Sequence, residues 1–305
     1  MYRPTTGGTQ LSLKRLDGET MLLVTGATGN VGQAVLAGLA DQPVAVRAFV
    51  RDPAKLRVSA SNIEVVRGDL ADDSSLQSAL AGVEAAFLAS AFSPRMAELH
   101  ARFVGAAKKA GVRRIVQLSG VGANSGLCCA RALRWLGQIE GSSQGSGLQV
   151  THLRPTFFMQ NLLQFAPAVA QQNVIAGPFR SGKWTFVDAR DVGAVGAVAL
   201  MNPAHAGYTY TVTGSESISY SEVAARLSRV LDKPVRYMDI TANEARGRLQ
   251  AAGAAPVMIE ATLELWDACA SNLINVAPTQ VVKEVTGREP RTFDDFIRDH
   301  RAAFT

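Results

Sequence analysis

The sequence predicts an α/β protein, a doubly wound parallel sheet followed by a smaller, mostly helical C-terminal lobe. Three observations carry this expectation. From residue 21 to about 155, short apolar, β-branched runs alternate strictly with helix-compatible segments, the pattern of parallel strands joined by crossover helices. After Pro155 the alternation stops and helical patterns dominate. A glycine-rich loop, TGATGNVG at residues 25–32, lies between the first apolar run and the first helical one. A chain of 305 residues is long for one core and short for two independent domains. It divides into an extension over 1–20, a sheet domain over 21–155 and a lobe over 156–305, interleaved with the sheet.

The strands expected in the first half are Met21–Val24, Val44–Val50, Ile63–Val66, Ala85–Ala89, Ile115–Leu118 and Val150–Leu153. Each is a short apolar run of the kind buried on both faces of a parallel sheet. Between them lie helical segments at Gln33–Ala40, Ser74–Ala81, Ala97–Ala110 and Arg131–Gly141. Beyond Pro155, Phe157–Phe165 reads as helical and Ala166–Trp184 carries loop signals. Asp188–Met201 reads as a buried helix, Tyr208–Thr213 as a strand and Ser221–Leu231 as an amphipathic helix. Ala242–Ala270 and Phe293–Phe304 read as helical, and this half is expected to pack over the sheet edge and shape a substrate pocket.

The first 20 residues are polar and rich in Gly and Thr, with Lys14 and Arg15 but no apolar signal core. They are expected to be flexible or loosely packed. With 47% hydrophobic and 19% charged residues, the chain reads as a folded soluble protein. No apolar run is long enough to span a bilayer, so no membrane is expected. The net charge of +5 mildly favours anionic small ligands. Nucleic acid is not expected, because the densest basic pairs, Lys108-Lys109 and Arg113-Arg114, read as solvated helix-end charges. Cys128, Cys129 and Cys269 are too few and too oddly spaced for a disulfide framework or a metal site. They suit a reducing compartment, and the expected location is cytoplasmic. His100, His152, His205 and His300 lack ligand spacing, and His152 reads as a satisfied core histidine.

Gly26, Gly29 and Gly32 are spaced G-x-x-G-x-x-G, after a strand and at the opening of a helix. In that context the first glycine permits a tight turn. The second lets a pyrophosphate approach the backbone, and the third lets helix pack on strand. The helix N-terminus offers free N–H groups and partial positive charge, to which Thr28 and Asn30 can add donors. The reading is therefore a Rossmann-like, dinucleotide-binding sheet. The end of the second strand reads Val50-Arg51-Asp52-Pro53-Ala54-Lys55. A basic residue there pairs with the 2′-phosphate of NADP, and an acidic one binds the ribose of NAD. Arg51, with Lys55 a turn beyond, favours NADP(H) over NAD(H), because Asp52 is placed to cap the turn starting at Pro53. Asp69 and Leu70 are expected beside the adenine.

TGATGNVG, VRDPAK, GDL, AGVRRIVQLSG, LRPTFFMQNL and FVDARDVG occur in the order seen in NmrA-like atypical short-chain dehydrogenases, and over roughly residues 21–305 the chain resembles that family. The run VTGREPRTF at 285–293 resembles its C-terminal signature. The resemblance implies a Rossmann-like fold and a nicotinamide cofactor. The family includes NADPH-dependent quinone reductases, triphenylmethane-dye reductases and non-catalytic proteins that sense NAD(P). Carried over by motif, it implies cofactor contacts at Gly26, Thr28, Gly29, Asn30, Val31, Arg51, Lys55, Asp69, Leu70, Ala89, Ser90 and Ser119, with Pro155, Thr156 and Phe157 near the nicotinamide.

Short-chain dehydrogenases commonly use a Tyr-x-x-x-Lys pair on the helix after the fifth strand, where the Tyr supplies the proton that accompanies hydride transfer. Here Ala132 and Leu136 take those places. There is no Tyr between Tyr2 and Tyr208 and no Lys between Lys109 and Lys183. Many relatives carry a His where Leu136 stands. Glu140 survives from that pattern and reads as a helix-surface or capping carboxylate. A plain ketone needs acid as its alkoxide forms, whereas a quinone, iminium or cationic dye accepts hydride with less. The expected function is thus an NADPH-dependent oxidoreductase acting on a planar conjugated small molecule. A dinucleotide-binding sensor without turnover, and a non-redox cyclase or epimerase, stand as alternatives. No residue is assigned a catalytic role. Phe92, Trp135, Phe158, Asn161, Trp184 and Phe186 are candidate pocket walls. Asp191 reads as a helix cap and Arg190–Asp188 as a structural pair.

Overall fold

A computed structural model describes residues 20–126 and 130–305. The expected extension over 1–20 lies outside the described residues except for Thr20, and Cys128 and Cys129 lie outside them. The first half alternates as expected: β1 (Met21–Val24), α1 (Asn30–Leu39), β2 (Ala45–Val50), β3 (Ile63–Arg67), α2 (Asp73–Leu80), β4 (Val83–Leu88), α3 (Met96–Lys109), β5 (Arg114–Leu118), α4 (Arg131–Gly141) and β6 (Gln149–Pro155). All pairings in the main sheet are parallel. The second half continues with β7 (Phe157–Phe158), α5 (Ala166–Gln172), β8 (Val174–Gly177), β9 (Lys183–Val187), α6 (Ala189–Met201), β10 (Thr209–Val212), β11 (Ser217–Ser219), α7 (Tyr220–Leu231), β12 (Arg236–Asp239), α8 (Ala242–Ala251), α9 (Pro256–Ala270), α10 (Val281–Thr286), α11 (Phe293–Asp299) and α12 (Arg301–Phe304).

The seven-stranded sheet runs β10-β6-β5-β4-β1-β2-β3, a doubly wound Rossmann-like order whose direction reverses between β1 and β4. One face packs under α1 and α6, around Val24, Val35, Leu36, Phe87, Val192 and Val195. The other packs under α2 and α3, around Leu23, Leu76, Phe103 and Ile115. Small residues set how closely α6 lies on α1. A Cβ on Gly193 would come 2.3 Å from Ala34 Cβ, and one on Gly38 2.8 Å from Ala197 Cβ.

Several second-half expectations are corrected. Phe157–Phe165 is not an α-helix: Phe157 and Phe158 pair with Phe186 and Val187 of β9, and a 3-10 turn follows over Met159–Phe165. Ala166–Trp184 is not a loop but α5, β8 and the start of β9. The helix expected over Ala242–Ala270 is broken between Ala251 and Pro256, where Gly253 takes φ +78° and Pro256 opens a new helix. His300 interrupts the terminal one. The lobe also carries two small sheets, β11-β9-β7 and β12-β8. Its core is aromatic. Phe179 stacks on Tyr220 at 3.7 Å, and Trp184 meets Tyr220 edge-on at 5.3 Å. Among the described residues no helix is long and apolar enough to cross a membrane.

The charged cluster 188–191 ties α6 to the C-terminal segment around α11. Asp188, not Asp191, caps α6, accepting from the Arg190 backbone at 2.8 Å. Its carboxylate also holds the Arg190 guanidinium at 2.6 Å, and Arg190 reaches Asp299 at 2.7 Å. Asp191 is instead paired with Arg291 at 2.6 Å, tying α6 to the approach to α11.

Candidate functional site

At the carboxyl ends of β1–β5 lies a cleft of about 350 Å³. The glycine loop forms its floor. Gly26 takes φ +59°, and a Cβ there would come 3.0 Å from Ala89 O. A Cβ on Gly32 would come 2.2 Å from Gly26 O, so the loop closes onto α1 only with glycine at that position. Gly29 N donates to Gly26 O at 2.9 Å. No side chain caps the N-terminus of α1 and no acidic residue lies in its first turn, so its free N–H groups face the cleft mouth without an internal partner.

Thr25 is wholly buried and fastens this floor to the next strand. Its Oγ1 donates to Ala89 O and accepts from Ala89 N, both at 2.9 Å. Sequence reading missed Thr25, although it opens the TGATGNVG motif.

Of the residues singled out from the sequence, Gly26, Thr28, Gly29, Asn30, Val31, Arg51, Asp69, Leu70, Ala89, Ser90 and Phe158 line this one cleft. Leu99 and Leu118 complete its wall. Arg51 is exposed at the rim and has no ion-pair partner among the described residues. Asp52 is turned away to cap the turn at Pro53–Lys55, accepting from Ala54 N at 3.2 Å.

Lys55 does not reach the lining; it is exposed and 3.8 Å from Asp52. Ser119 is buried beneath α4 rather than in the cleft. Pro155 accepts from Val121 N. Thr156 and Phe157 face a separate void of about 10 Å³ in the lobe, together with Trp184. Trp184 and Phe186 are therefore aromatic core, not walls of the cleft. Phe92 and Trp135 pack edge-on at 5.6 Å, with Phe92 exposed. Asn161 is exposed and outside the lining.

The two positions expected from the sequence to correspond to the Tyr-x-x-x-Lys pair are apolar. Ala132 is wholly buried. Leu136 lies over the chain leaving β5, where a Cβ added to Gly120 would come 2.8 Å from Leu136 Cδ1. Glu140, one turn further, is not a surface carboxylate. It is buried, accepts from Ser119 Oγ at 2.6 Å and holds Arg154 through two bonds at 2.8 and 2.6 Å. Burial works to raise its pKa, but the hydrogen bonds from Arg154 and Ser119 prevail and hold it below the usual carboxylate value. His152 is not satisfied as expected: its buried Nδ1 has no partner among the described residues. Burial pushes its pKa down, opposed by the nearby Glu140 charge.

Sequence reading also missed His100 and Gln117. His100 is wholly buried on the inner face of α3, between Ser90 and Gln117. The signal was present as a histidine in the buried stripe Met96, His100, Phe103, Val104 and Ala107, and a glutamine inside an otherwise apolar strand.

Fold and cleft together define a Rossmann-like α/β protein whose open groove lies over an uncapped, glycine-lined helix N-terminus. The chain belongs to the NmrA-like family, whose model matches residues 18–297. It is 36% identical over 285 residues to an NAD(P)H azoreductase of Xenophilus azovorans, covering 93% of this chain and 99% of the relative. It is 37% identical over 285 residues to a (4-alkanoyl-5-oxo-2,5-dihydrofuran-3-yl)methyl phosphate reductase of Streptomyces griseus, again covering 93% and 99%. An NADPH-dependent quinone oxidoreductase of Escherichia coli, crystallised with NADPH, superposes with a TM-score of 0.82 at 25% identity, covering 92% of this chain and 100% of that one.

Proposed function

We propose that the protein is an NADPH-dependent oxidoreductase that delivers hydride to a planar, conjugated small molecule, such as a quinone, an iminium or a dye-like electrophile, without a Tyr–Lys proton relay. One observation carries the reading. The glycine cradle opens into a cleft in which Leu118, Phe158, Leu99 and Ser90 form a largely apolar side, while its ionisable lining residues, Arg51 and Asp69, lie at the other end, beyond β2 and β3.

The residues fit the cofactor. Gly26, Gly29 and Gly32 leave a cradle that Cβ atoms would fill, and the uncapped α1 N-terminus suits a pyrophosphate. Thr28, Asn30 and Val31 sit at that terminus. Arg51 has no ion-pair partner among the described residues, so its guanidinium is available to a 2′-phosphate, and the competing acid Asp52 is engaged in a cap. Asp69 and Leu70 would flank the adenine. Ala89, Ser90 and Phe158 would border the nicotinamide, which when bound supplies the hydride. Ser119 and Phe157 adjoin the cleft-lining Leu118 and Phe158 in the chain.

The acceptor follows from what the groove lacks. Hydride addition to a quinone or azo bond leaves negative charge delocalised over the acceptor, and the proton that completes reduction comes from solvent or a pocket hydroxyl. The names of the relatives point the same way: azo, quinone and unsaturated-lactone reductases act on conjugated electrophiles.

The test follows NADPH absorbance with a panel of quinones, azo dyes, triarylmethane dyes and simple ketones. Oxidation by conjugated acceptors, with simple ketones inert, is expected. Rapid ketone reduction with inert quinones and dyes would overturn the acceptor assignment. Tight NADPH binding with no oxidation by any acceptor would make the protein a sensor.

A further inference from the structure

Behind the cleft lies a buried polar chain that the shape of the groove does not require. His100 Nε2 is 3.1 Å from Ser90 Oγ, and His100 Nδ1 is 2.9 Å from Gln117 Nε2. A backbone carbonyl sets the direction of these bonds. Gln117 Nε2 also lies 2.9 Å from Ile139 O, which only accepts, so the nitrogen end of the amide must face it. At the other end Gln117 Oε1 lies 3.4 Å from Ser143 Oγ, whose proton is given to Glu140 O at 2.8 Å. The second N–H of Gln117 is then donated to His100 Nδ1, which must be the bare nitrogen. The single ring proton sits on Nε2 and is donated to Ser90 Oγ. Burial pushes the His100 pKa down to about 4, which keeps the ring neutral around neutral pH.

Ser90 Oγ is thus approached from behind by a donor. Its own proton is free to point forward, and the protein's competing acceptor, Ala91 O, is long at 3.4 Å. Ser90 lies on the side of the cleft opposite Arg51, because β4 and β2 flank β1 on its two sides. If Arg51 marks the adenosine end, Ser90 marks the nicotinamide end. Burying an imidazole and an amide is costly unless both are hydrogen-bonded, and here the pairing leaves one hydroxyl proton for the groove.

We propose that His100 and Gln117 are positioning residues that fix Ser90 as a hydrogen-bond donor to a ligand oxygen on the nicotinamide side of the cleft. This rests on the cofactor reading above for which end is which. The accepting oxygen belongs either to the nicotinamide nucleoside or to the acceptor molecule. In both cases Ser90 polarises and orients, and no proton leaves the neutral imidazole.

Two binding arms distinguish the sources, and neither needs turnover. One titrates NADPH against Ser90→Ala, Ser90→Thr and His100→Phe. The other titrates 2-hydroxy-1,4-naphthoquinone, a planar oxyanion, onto the same proteins loaded with NADP. Ser90→Ala is expected to weaken one arm by about tenfold, the scale of one hydrogen bond to a polar or charged oxygen. Ser90→Thr is expected to restore that arm, and His100→Phe to weaken the same arm by about threefold or more. Loss of NADPH affinity assigns the oxygen to the nucleoside; loss of naphthoquinone affinity assigns it to the acceptor. Neither arm moving in Ser90→Ala, or His100→Phe matching wild type in the arm that Ser90→Ala weakens, overturns the proposal. Nitrogen-15 NMR of the wild-type imidazoles provides a check independent of any variant's folding. Protonated Nε2 with bare Nδ1 at His100 is expected, and the opposite tautomer overturns the assignment. A wild-type protein that binds both ligands but oxidises no NADPH would sink the oxidoreductase reading and leave this one standing.

Discussion

Removing the charge of Glu140 tests whether α4 is held on the sheet by a buried ion pair. The carboxylate spans three elements: α4 itself, Ser119 beyond β5, and Arg154 on β6. Its side chain is 11% exposed and that of Arg154 17%, so water screens the pair little. Breaking such a pair by deleting one partner costs about 3–5 kcal/mol, because the other charge stays buried. Glu140→Gln keeps an acceptor for Ser119, so its cost falls below that range, at about 2–3 kcal/mol. Arg154→Met strands the carboxylate and costs about 3–5 kcal/mol. The unfolding entropy of a 305-residue chain, at about 2.1 cal/mol/K per residue, is roughly 0.6 kcal/mol/K, so these losses lower Tm by about 4 and 6 °C. The double variant should cost about 2 kcal/mol less than the sum of the two singles, the signature of a coupled pair. The pH dependence has a definite sign. Glu140 is held below its unfolded value of 4.5, so its contribution is complete above that pH and is lost as pH falls through the folded value. Calorimetry at pH 7 and pH 3 measures both effects, and the gap between wild type and Glu140→Gln should narrow at pH 3. Strictly additive variants, or a gap that widens in acid, would refute the reasoning.

Arg51→Ala should weaken NADPH binding by about 10–100-fold while leaving NADH within about twofold, the worth of charge-assisted bonds to a 2′-phosphate; equal losses in a fluorescence titration would sink the assignment. Gly32→Ala places a Cβ 2.2 Å from Gly26 O, and should lower Tm by about 2–5 °C from overpacking and weaken NADPH at least about tenfold, read by calorimetry and titration. His100 resists protonation down to about pH 4, so the unfolded chain takes up a proton between pH 6.5 and about 4 that the folded one refuses. Stability should therefore fall by about 3 kcal/mol across that window, and chemical denaturation of His100→Gln should show a flatter slope. Leu136→His puts an imidazole over the chain leaving β5 and should add an activity limb that rises as pH falls below about 6.5; an unchanged pH–rate profile would show that this position does not reach the reacting atoms.

The first half was legible because its strands are buried on both faces and joined by helices, so composition and period coincide there with structure. Val44–Val50 was expected and Ala45–Val50 is found. The second half was less legible for physical reasons. Phe158, Leu162 and Phe165 fall at helical spacing, but backbone pairing with Phe186 and Val187 extends the first two residues of that run. The strands SIS and RYMD are too short and too polar to stand out from loops. At the site, the backbone part was readable: the glycines, Arg51 and Asp69 come together in the lining of one cleft. Side-chain partnerships were not. Glu140 finds Ser119 and Arg154 at separations of 21 and 14 residues, which no local pattern encodes. Trp184 looked like a pocket wall because aromatics often are, but its neighbours Phe157, Phe179 and Tyr220 come together only through the lobe sheet.

α4 carries neither Tyr nor Lys, and its inner face is committed to polar contacts with the sheet. The sheet face beneath α4 carries Gln117, Ser119, His152 and Arg154, and the helix meets them with Ile139 O, Glu140 and Ser143. Most of this polarity is consumed internally, in bonds that hold α4 to β5 and β6. Leu136 packs its hydrocarbon over Gly120, on the chain leaving β5. Glu140 and Arg154 stand outside the cleft lining, and Ser90 is the polar side chain that lines it beside Leu118 and Phe158. Such a surface stabilises localised negative charge poorly and accommodates a flat, delocalised one well. On the function proposed above, a nicotinamide-side wall whose polar group is the Ser90 hydroxyl selects for substrates that do not need a protein acid.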